Sequence, residues 1–208
     1  MGFTSLPSAK KGLLQRDLLA LSKKDLQRRA LLLLSGGIDS TACLAFLLSN
    51  NFDVSCTFVD FGQPARINEL AAADQVSKFY GVALYTIRLD HTKNISRGEI
   101  LGRNAFLIFA GLMTSHAASS VICLGIHRGT SYVDCSKTFI TQLDTIVAEL
   151  TNGTTRVLAP FVEWDKNRIV NYAKAERVPI ALTYSCEVGG NTPCGECSSC
   201  HDRSELRC

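Results

Sequence analysis

No apolar run in these 208 residues approaches the roughly 18 needed to cross a bilayer, and the first residues lack a compact apolar signal core with a cleavage site. A membrane protein and an exported one are therefore not expected, and the reading is of a soluble, cytoplasmic chain. Internal repeats are missing, as is low-complexity sequence beyond the loose residues 1–12, which excludes solenoids and arrays. Neither the Walker spacing nor the dinucleotide pattern Gly-x-Gly-x-x-Gly occurs, so the two commonest glycine-rich phosphate loops are ruled out. Positive charge is scarce where it would matter for nucleic acid. Residues 1–29 hold seven of the 22 Lys/Arg against Asp17 and Asp25 alone, leaving the body with 15 basic and 17 acidic side chains. A body so balanced has no electrostatic footprint for DNA or RNA.

What is present begins with Leu31-Leu32-Leu33-Leu34-Ser35-Gly36-Gly37-Ile38-Asp39-Ser40-Thr41. Four leucines between turn residues read as a parallel strand buried on both faces, since such a strand loses the apolar/polar alternation of a half-exposed one. Gly36 and Gly37 have no Cβ and let the backbone turn tightly, presenting N–H groups to an anion, while Asp39, Ser40 and Thr41 suit a helix's first turn. Strand, bend and helix N-terminus together make a phosphate cradle.

Helical and strand patterns then alternate, which predicts an α/β protein with a mostly parallel sheet. Strands are expected at Val54–Val59, Val82–Leu89, Val121–Ile126 and Arg156–Val162, and helices over residues 66–80, 105–118 and 138–150. Asp165 is placed as the N-cap of a helix reaching Glu176, and from Pro179 onward only turns are expected. Ligands of open α/β sheets bind beyond the carboxyl ends of the strands, which puts an adenine near Val59 and Phe61. Polar stretches over residues 90–104 and 127–135 are functional loops by length and composition. Leu13, Leu14, Leu18, Leu19, Leu21 and Leu26 form an approximate helical stripe among basic residues. That stripe suits packing on its own domain, or an offer to a partner protein or a second copy of the chain in a homodimer.

Of the nine cysteines four cluster near the end and the other five, Cys135 in the loop over residues 127–135 among them, are scattered. Cys43, Cys56 and Cys123 sit inside apolar runs as small core residues, and Cys208 is incidental. Cys186, Cys194, Cys197 and Cys200 bring four thiolates into fifteen residues among glycines and a proline. Such spacing suits a closed tetrahedral zinc site of structural kind, with an iron–sulfur cluster and a redox pair as chemical rivals.

Ser-Gly-Gly-x-Asp-Ser resembles the pyrophosphate loop of ATP pyrophosphatases, which cleave ATP between the α- and β-phosphates. With Cys-x7-Cys-x2-Cys-x2-Cys at the end, and with Gly62-Gln63, Gly102-Arg103-Asn104, Tyr132-x-Asp134-Cys135 and Lys166 between, residues 30–203 resemble the QueC (7-cyano-7-deazaguanine synthase) family. The resemblance implies an adenine nucleotide alpha hydrolase-like three-layer fold with a parallel five-stranded sheet. It divides the chain into a basic extension (1–29), an ATP-binding domain (30–180) and a zinc-binding segment (181–208).

Family members adenylate the carboxylate of 7-carboxy-7-deazaguanine with ATP and Mg2+, admit ammonia to give an amide, and spend a second ATP on the nitrile. By that resemblance Ser35, Gly36, Gly37, Asp39, Ser40 and Thr41 hold the departing pyrophosphate, with Asp39 contacting Mg2+. Arg103 and Lys166 neutralise the transferring phosphoryl group. Asp134 accepts the donor edge of the deazaguanine, with Tyr132 beside it, and Gln63 orients the acyl group or the amine. Zn2+ sits in the four cysteines.

The chain departs from the family at Pro64-Ala65, in place of Arg-His, in a shortened loop over residues 90–104, and at Ser131-Tyr132-Val133-Asp134. Trimmed cover opens the acyl side of the site to a larger acceptor, and QueC-like proteins do occur in antiviral operons with protein partners. Two rivals from other classes are a tRNA-thiolating pyrophosphatase, which the acidic body disfavours, and a non-catalytic zinc-stabilised nucleotide-binding scaffold.

Overall fold

The computed structural model describes residues 28–90, 99–115 and 120–208. The leucine stripe before residue 27 and part of the loop over residues 90–104 lie outside the described residues.

Five strands, β1 (Arg29–Leu33), β2 (Asp53–Asp60), β3 (Ala83–Arg88), β4 (Val121–Leu124) and β5 (Arg156–Leu158), form one sheet in the order β3-β2-β1-β4-β5. Every pairing is parallel, with Leu32 level with Cys56 on one side and Cys123 on the other. Parallel strands need crossovers, and helices supply them: α1 (Ile38–Ser49), α2 (Arg66–Tyr80), α3 (Arg103–Thr114), α4 (Lys137–Leu150) and α5 (Lys166–Ala175). Helices α1, α2 and α5 cover one face through Leu44, Leu47, Val76 and Ile169 packed on Leu32, Cys56 and Cys123. Helices α3 and α4 cover the other through Ile108, Ile140 and Val147 against Leu31, Leu33 and Ile122. A leucine run with no alternation is thus explained: successive leucines of β1 enter two different apolar layers.

Chain order fixes where a ligand can sit. The connections from β1 to β3 move outward one way, then the chain returns across the sheet to place β4 on the other side of β1. The carboxyl ends of β1 and β4 therefore diverge and leave a crevice between their following loops.

Local signals place the helix ends. The Asp165 side chain accepts from Arg168 N at 2.8 Å as the N-cap of α5, and Ser136 accepts from Phe139 N at 3.2 Å at the start of α4. Gly81 ends α2 in the left-handed conformation. The expectation of turns alone after Pro179 is corrected, because Ser198–Glu205 forms a short helix, α6. Its first turn is built by the cysteine cluster, with Cys200 N and His201 N both donating to Cys197 O, a constraint that periodicity does not register. The segment from residue 181 is also continuous with the main body: Tyr184 N donates to Gly36 O at 2.9 Å.

Candidate active site

A cavity of about 450 Å³ opens at the crevice. Its floor is the bend between β1 and α1. Gly36 has φ +79°, and a Cβ there would lie 2.5 Å from Glu69 O and 2.8 Å from Ala73 N, so the bend is pressed onto the backbone of α2. Gly37 is the extended N-cap of α1 and, among the described residues, no side chain caps that helix, which leaves its first-turn N–H groups directed at the crevice. Ser35 Oγ and Ser40 Oγ lie 3.1 Å apart across the bend. Thr41 Oγ1 donates back to Gly37 O at 2.8 Å, so Thr41, like Gly36, shapes the cradle without lining the cavity.

Asp39, in the first turn of α1, meets Lys166 from the first turn of α5. Lys166 Nζ donates to both carboxylate oxygens at 2.8 and 2.7 Å, and each side chain is 20% exposed. His127, two residues after Gly125 at the end of β4, brings Nε2 within 3.7 Å of the same carboxylate. Gly129 N donates to His127 Nδ1 at 2.9 Å, which makes Nδ1 the acceptor and leaves the proton of the neutral ring on Nε2. Burial lowers the His127 pKa, against the pull of Asp39, and so favours that neutral form. Sequence reasoning passed over His127; its position just past a strand's carboxyl end was the available signal.

Val59 and Phe61 line the wall at the end of β2. Thr57 O accepts from Leu34 N, while Asp60 O accepts from Leu89 N on the β3 side. The backbone of Val59, in step with Thr57, therefore faces past the end of β1 toward the cavity. Gln63 braces this edge: Oε1 accepts from Phe61 N at 3.0 Å, and Nε2 donates to Val59 O at 3.2 Å and to Glu69 Oε2 at 2.9 Å. Its amide is thus engaged with the protein, although its side chain does border the cavity. Burial raises the Glu69 pKa, with Gln63 and Arg103 pulling it back.

Arg103 and Asn104 begin α3 and line the opposite wall with Tyr132 and Cys135. Asp134 is buried behind them. Its Oδ2 accepts from Asn104 N at 3.1 Å, and Asn104 Nδ2 donates to Asp134 O at 3.0 Å, so this carboxylate fastens the start of α3 and does not border the cavity.

The four cysteines converge as their spacing implies. Their sulfur atoms all lie within 4.8 Å of one another, and Cys194 and Cys200 are 3.9 Å apart. A tetrahedral metal with sulfur bonds of 2.3 Å needs edges of about 3.8 Å, so the cluster can hold a metal ion. Backbone N–H groups already point at the sulfurs, Cys194 N at Cys186 Sγ (3.3 Å) and Glu196 N and Cys197 N at Cys194 Sγ (3.4 Å each). Burial works to raise Cys186, but the N–H groups of Cys194, Val188 and Gly189 outweigh it and bring the thiol down to about 6. Burial pushes Cys200 up to about 12. Sulfurs this close share negative charge only when a cation takes it up. Cys43, Cys56 and Cys123 are fully buried, as expected of core residues.

A doubly wound parallel sheet of five strands with a Ser-Gly-Gly bend at its switch point makes the chain a three-layer α/β protein, with the fold that adenine nucleotide alpha hydrolase-like proteins share. Solved structures similar to it in shape agree. NMN synthetase from Francisella tularensis superposes with a TM-score of 0.58 over 98% of this chain and 87% of that one, at 13% identity. The U34-tRNA thiolase NcsA from Methanococcus maripaludis gives 0.53 over 93% and 68%, at 16% identity. Within the class the sequence is decisive. The model of the queuosine biosynthesis protein QueC family matches residues 29–105 and 99–206. The 7-cyano-7-deazaguanine synthase of Archaeoglobus fulgidus is 32% identical over 204 residues, covering 85% of this chain and 84% of the relative. That of Synechococcus sp. CC9311 is 31% identical, covering 85% and 91%. The chain belongs to the QueC family.

Proposed function

We propose that this chain is an ATP-dependent C–N ligase that adenylates the carboxylate of a deazaguanine-type acid, 7-carboxy-7-deazaguanine, releasing pyrophosphate, and lets an amine displace AMP. The observation that carries the reading is the uncapped α1 N-terminus at the Ser35–Ser40 bend, opening into one cavity with Arg103 and Lys166. N–H groups of the bend and the hydroxyls of Ser35 and Ser40 suit the pyrophosphate that leaves, stabilising charge where it develops. The Val59 edge suits an adenine, and Arg103 suits the phosphoryl oxygens or the acid. Bound at Asp39, Mg2+ would supply charge neutralisation for the phosphates; Asp39 fits as an oxygen donor held ready by Lys166. Zn2+ fits the four-sulfur knot, where it would order the cavity wall and keep no open position for chemistry.

After adenylation the carbonyl carbon is attacked by the amine nitrogen, the C–O bond to AMP breaks, and the nitrogen sheds a proton, giving an amide. Where the amine is ammonia, a second ATP would adenylate the amide oxygen with release of pyrophosphate; the C–O bond then breaks, AMP leaves with that oxygen, and the nitrogen gives up its two protons to leave the nitrile. Exchange of labelled pyrophosphate into ATP, dependent on the deazaguanine acid, tests the first half-reaction, and its absence refutes it.

A second reading places the amine on a protein partner, as in an antiviral operon. What favours it is the exposed apolar rim beside the cavity: Leu101 is 88% and Val133 72% exposed, next to the lining residues Ile100 and Tyr132. Intact-mass spectrometry of a candidate partner incubated with enzyme, ATP and the acid decides between them. An unshifted partner alongside free nitrile refutes the second.

A further inference from the structure

Asp134, the carboxylate expected to receive the donor edge of the substrate, is spent on α3. Another acidic side chain on the cavity wall is better placed. Glu187 follows the metal-knot residue Cys186 directly and lines the cavity together with Ser198 and Ser199, which lie between Cys197 and Cys200. Both hydroxyls donate to the same oxygen, Glu187 Oε1, at 2.9 and 2.8 Å.

That arrangement has a definite polarity. A serine hydroxyl has one proton, and here both protons are committed to Glu187, so toward a ligand the two oxygens can only accept. Glu187 Oε2, also an acceptor, completes a wall that reads donors and repels acceptors.

The wall is rigidly mounted. Tyr184 N is fixed to Gly36 O at 2.9 Å, and Asn68 Nδ2 donates to Gly190 O at 2.9 Å. From α6, Arg203 Nη1 donates to Thr183 O at 2.9 Å and to Ser185 Oγ at 3.2 Å. Of the other acidic side chains lining the cavity, Asp39 is engaged with Lys166 and Glu69 with Gln63, while Asp202 lies further along α6 and acts electrostatically on His127; Glu187 alone is oriented by two serine hydroxyls.

We propose that Glu187, oriented by Ser198 and Ser199, is the specificity-determining residue for the 2-amino and ring N–H edge of the acid substrate. This rests on the deazaguanine reading above. A patch that only accepts favours an aromatic lactam with two adjacent donors over one lacking the amino group, because the latter would cover the half-buried Glu187 carboxylate and leave one of its acceptors unpaired. The metal knot thereby acts as a mount for substrate selection, remote from the chemistry itself.

The test is acid-dependent ATP–pyrophosphate exchange with 7-carboxy-7-deazaguanine and with its analogue lacking the 2-amino group, in the wild type, Glu187→Gln and Ser199→Ala. The wild type is expected to prefer the amino-bearing acid by about 10- to 100-fold in KM, the range of a charge-assisted hydrogen bond. Glu187→Gln presents an N–H donor and should raise KM for that acid by a similar factor, leave kcat within about twofold, and erase the preference. Ser199→Ala, which keeps the carboxylate but loosens it, should lose part of the preference in the same direction. Metal content and the KM for ATP, measured alongside, should match the wild type in both variants. A preference that survives in Glu187→Gln, or a wild type indifferent to the amino group, overturns the assignment of Glu187 alone. A wild type that exchanges with neither acid overturns the proposed function, and this assignment falls with it.

Discussion

The bend at Gly36 offers the sharpest quantitative check, because a second glycine serves as its control. Gly36 and Gly81 both adopt positive φ, +79° and +67°. A Cβ on Gly81 meets nothing within 4 Å among the described residues, whereas one on Gly36 would lie 2.5 and 2.8 Å from the main chain of α2. Gly81→Ala therefore costs only the left-handed conformation, about 1–2 kcal/mol. Gly36→Ala adds overpacking against backbone that no rotamer change can relieve, roughly another 1–3 kcal/mol. At about 2–4 °C per kcal/mol for a chain of this size, Gly81→Ala should lower the midpoint by roughly 2–8 °C and Gly36→Ala by roughly 4–20 °C. The paired difference, read by thermal melts followed by circular dichroism, is the informative quantity. Pyrophosphate exchange should persist in Gly81→Ala and be lost in Gly36→Ala, since the bend can accept a methyl only by lifting off α2. Melts that coincide within about 1 °C, with exchange intact in both, would refute the packing argument.

Other expectations follow from neighbouring groups. Lys166→Met leaves Asp39 without its cationic partner and should cut exchange by about 100-fold or more while ATP binding weakens less, as rapid-quench and equilibrium titration would show. Asp144 accepts from Arg156 Nε at 2.9 Å and from Val157 N at 2.8 Å, pinning β5 to α4; Asp144→Ala should cost about 2–4 kcal/mol by urea denaturation. Removal of the metal by a chelator, or Cys197→Ser, should release the first turn of α6 and Glu187 and make residues 186–205 sensitive to limited proteolysis, with elemental analysis of the intact protein giving one zinc per chain. Burial raises the Glu69 pKa, so the folded state holds that proton more tightly than the unfolded chain. Stability from this source is present below the ordinary glutamate range and declines as pH rises through the raised value. Glu69→Gln should flatten that decline in melts taken between pH 4 and pH 8.

Much of this architecture could be read from residues alone, for reasons visible in particular elements. Leu31–Leu34 announced a strand covered on both faces because burial on two sides removes the period of two, and all five strands fell near their expected places. Asp165 and Gly81 carried their own capping chemistry. The cysteines converge because short Cys-x2-Cys turns allow little else.

What could not be read depends on distance along the chain. The pairing of Asp39 with Lys166 joins residues 127 positions apart, and nothing local in either segment reports it. Gln63 and Asp134 were expected to face substrate, yet the structure shows their polar atoms engaged by backbone N–H and C=O groups and, for Gln63, by the Glu69 carboxylate as well, a competition between ligand and protein that residue type cannot decide. Helix α6 was invisible to periodicity because eight residues tethered by sulfur spacing need no apolar stripe.

The bond from Tyr184 N to Gly36 O has a temporal meaning as well as a spatial one. During synthesis the nascent chain makes its phosphate bend early, but the amide that fastens it arrives 148 residues later. Until then one anchor of that loop is missing and the wall bearing Glu187 has yet to emerge from the ribosome. A truncated or stalled product would therefore carry the Ser-Gly-Gly motif with its bend half fastened and one wall of the cavity missing.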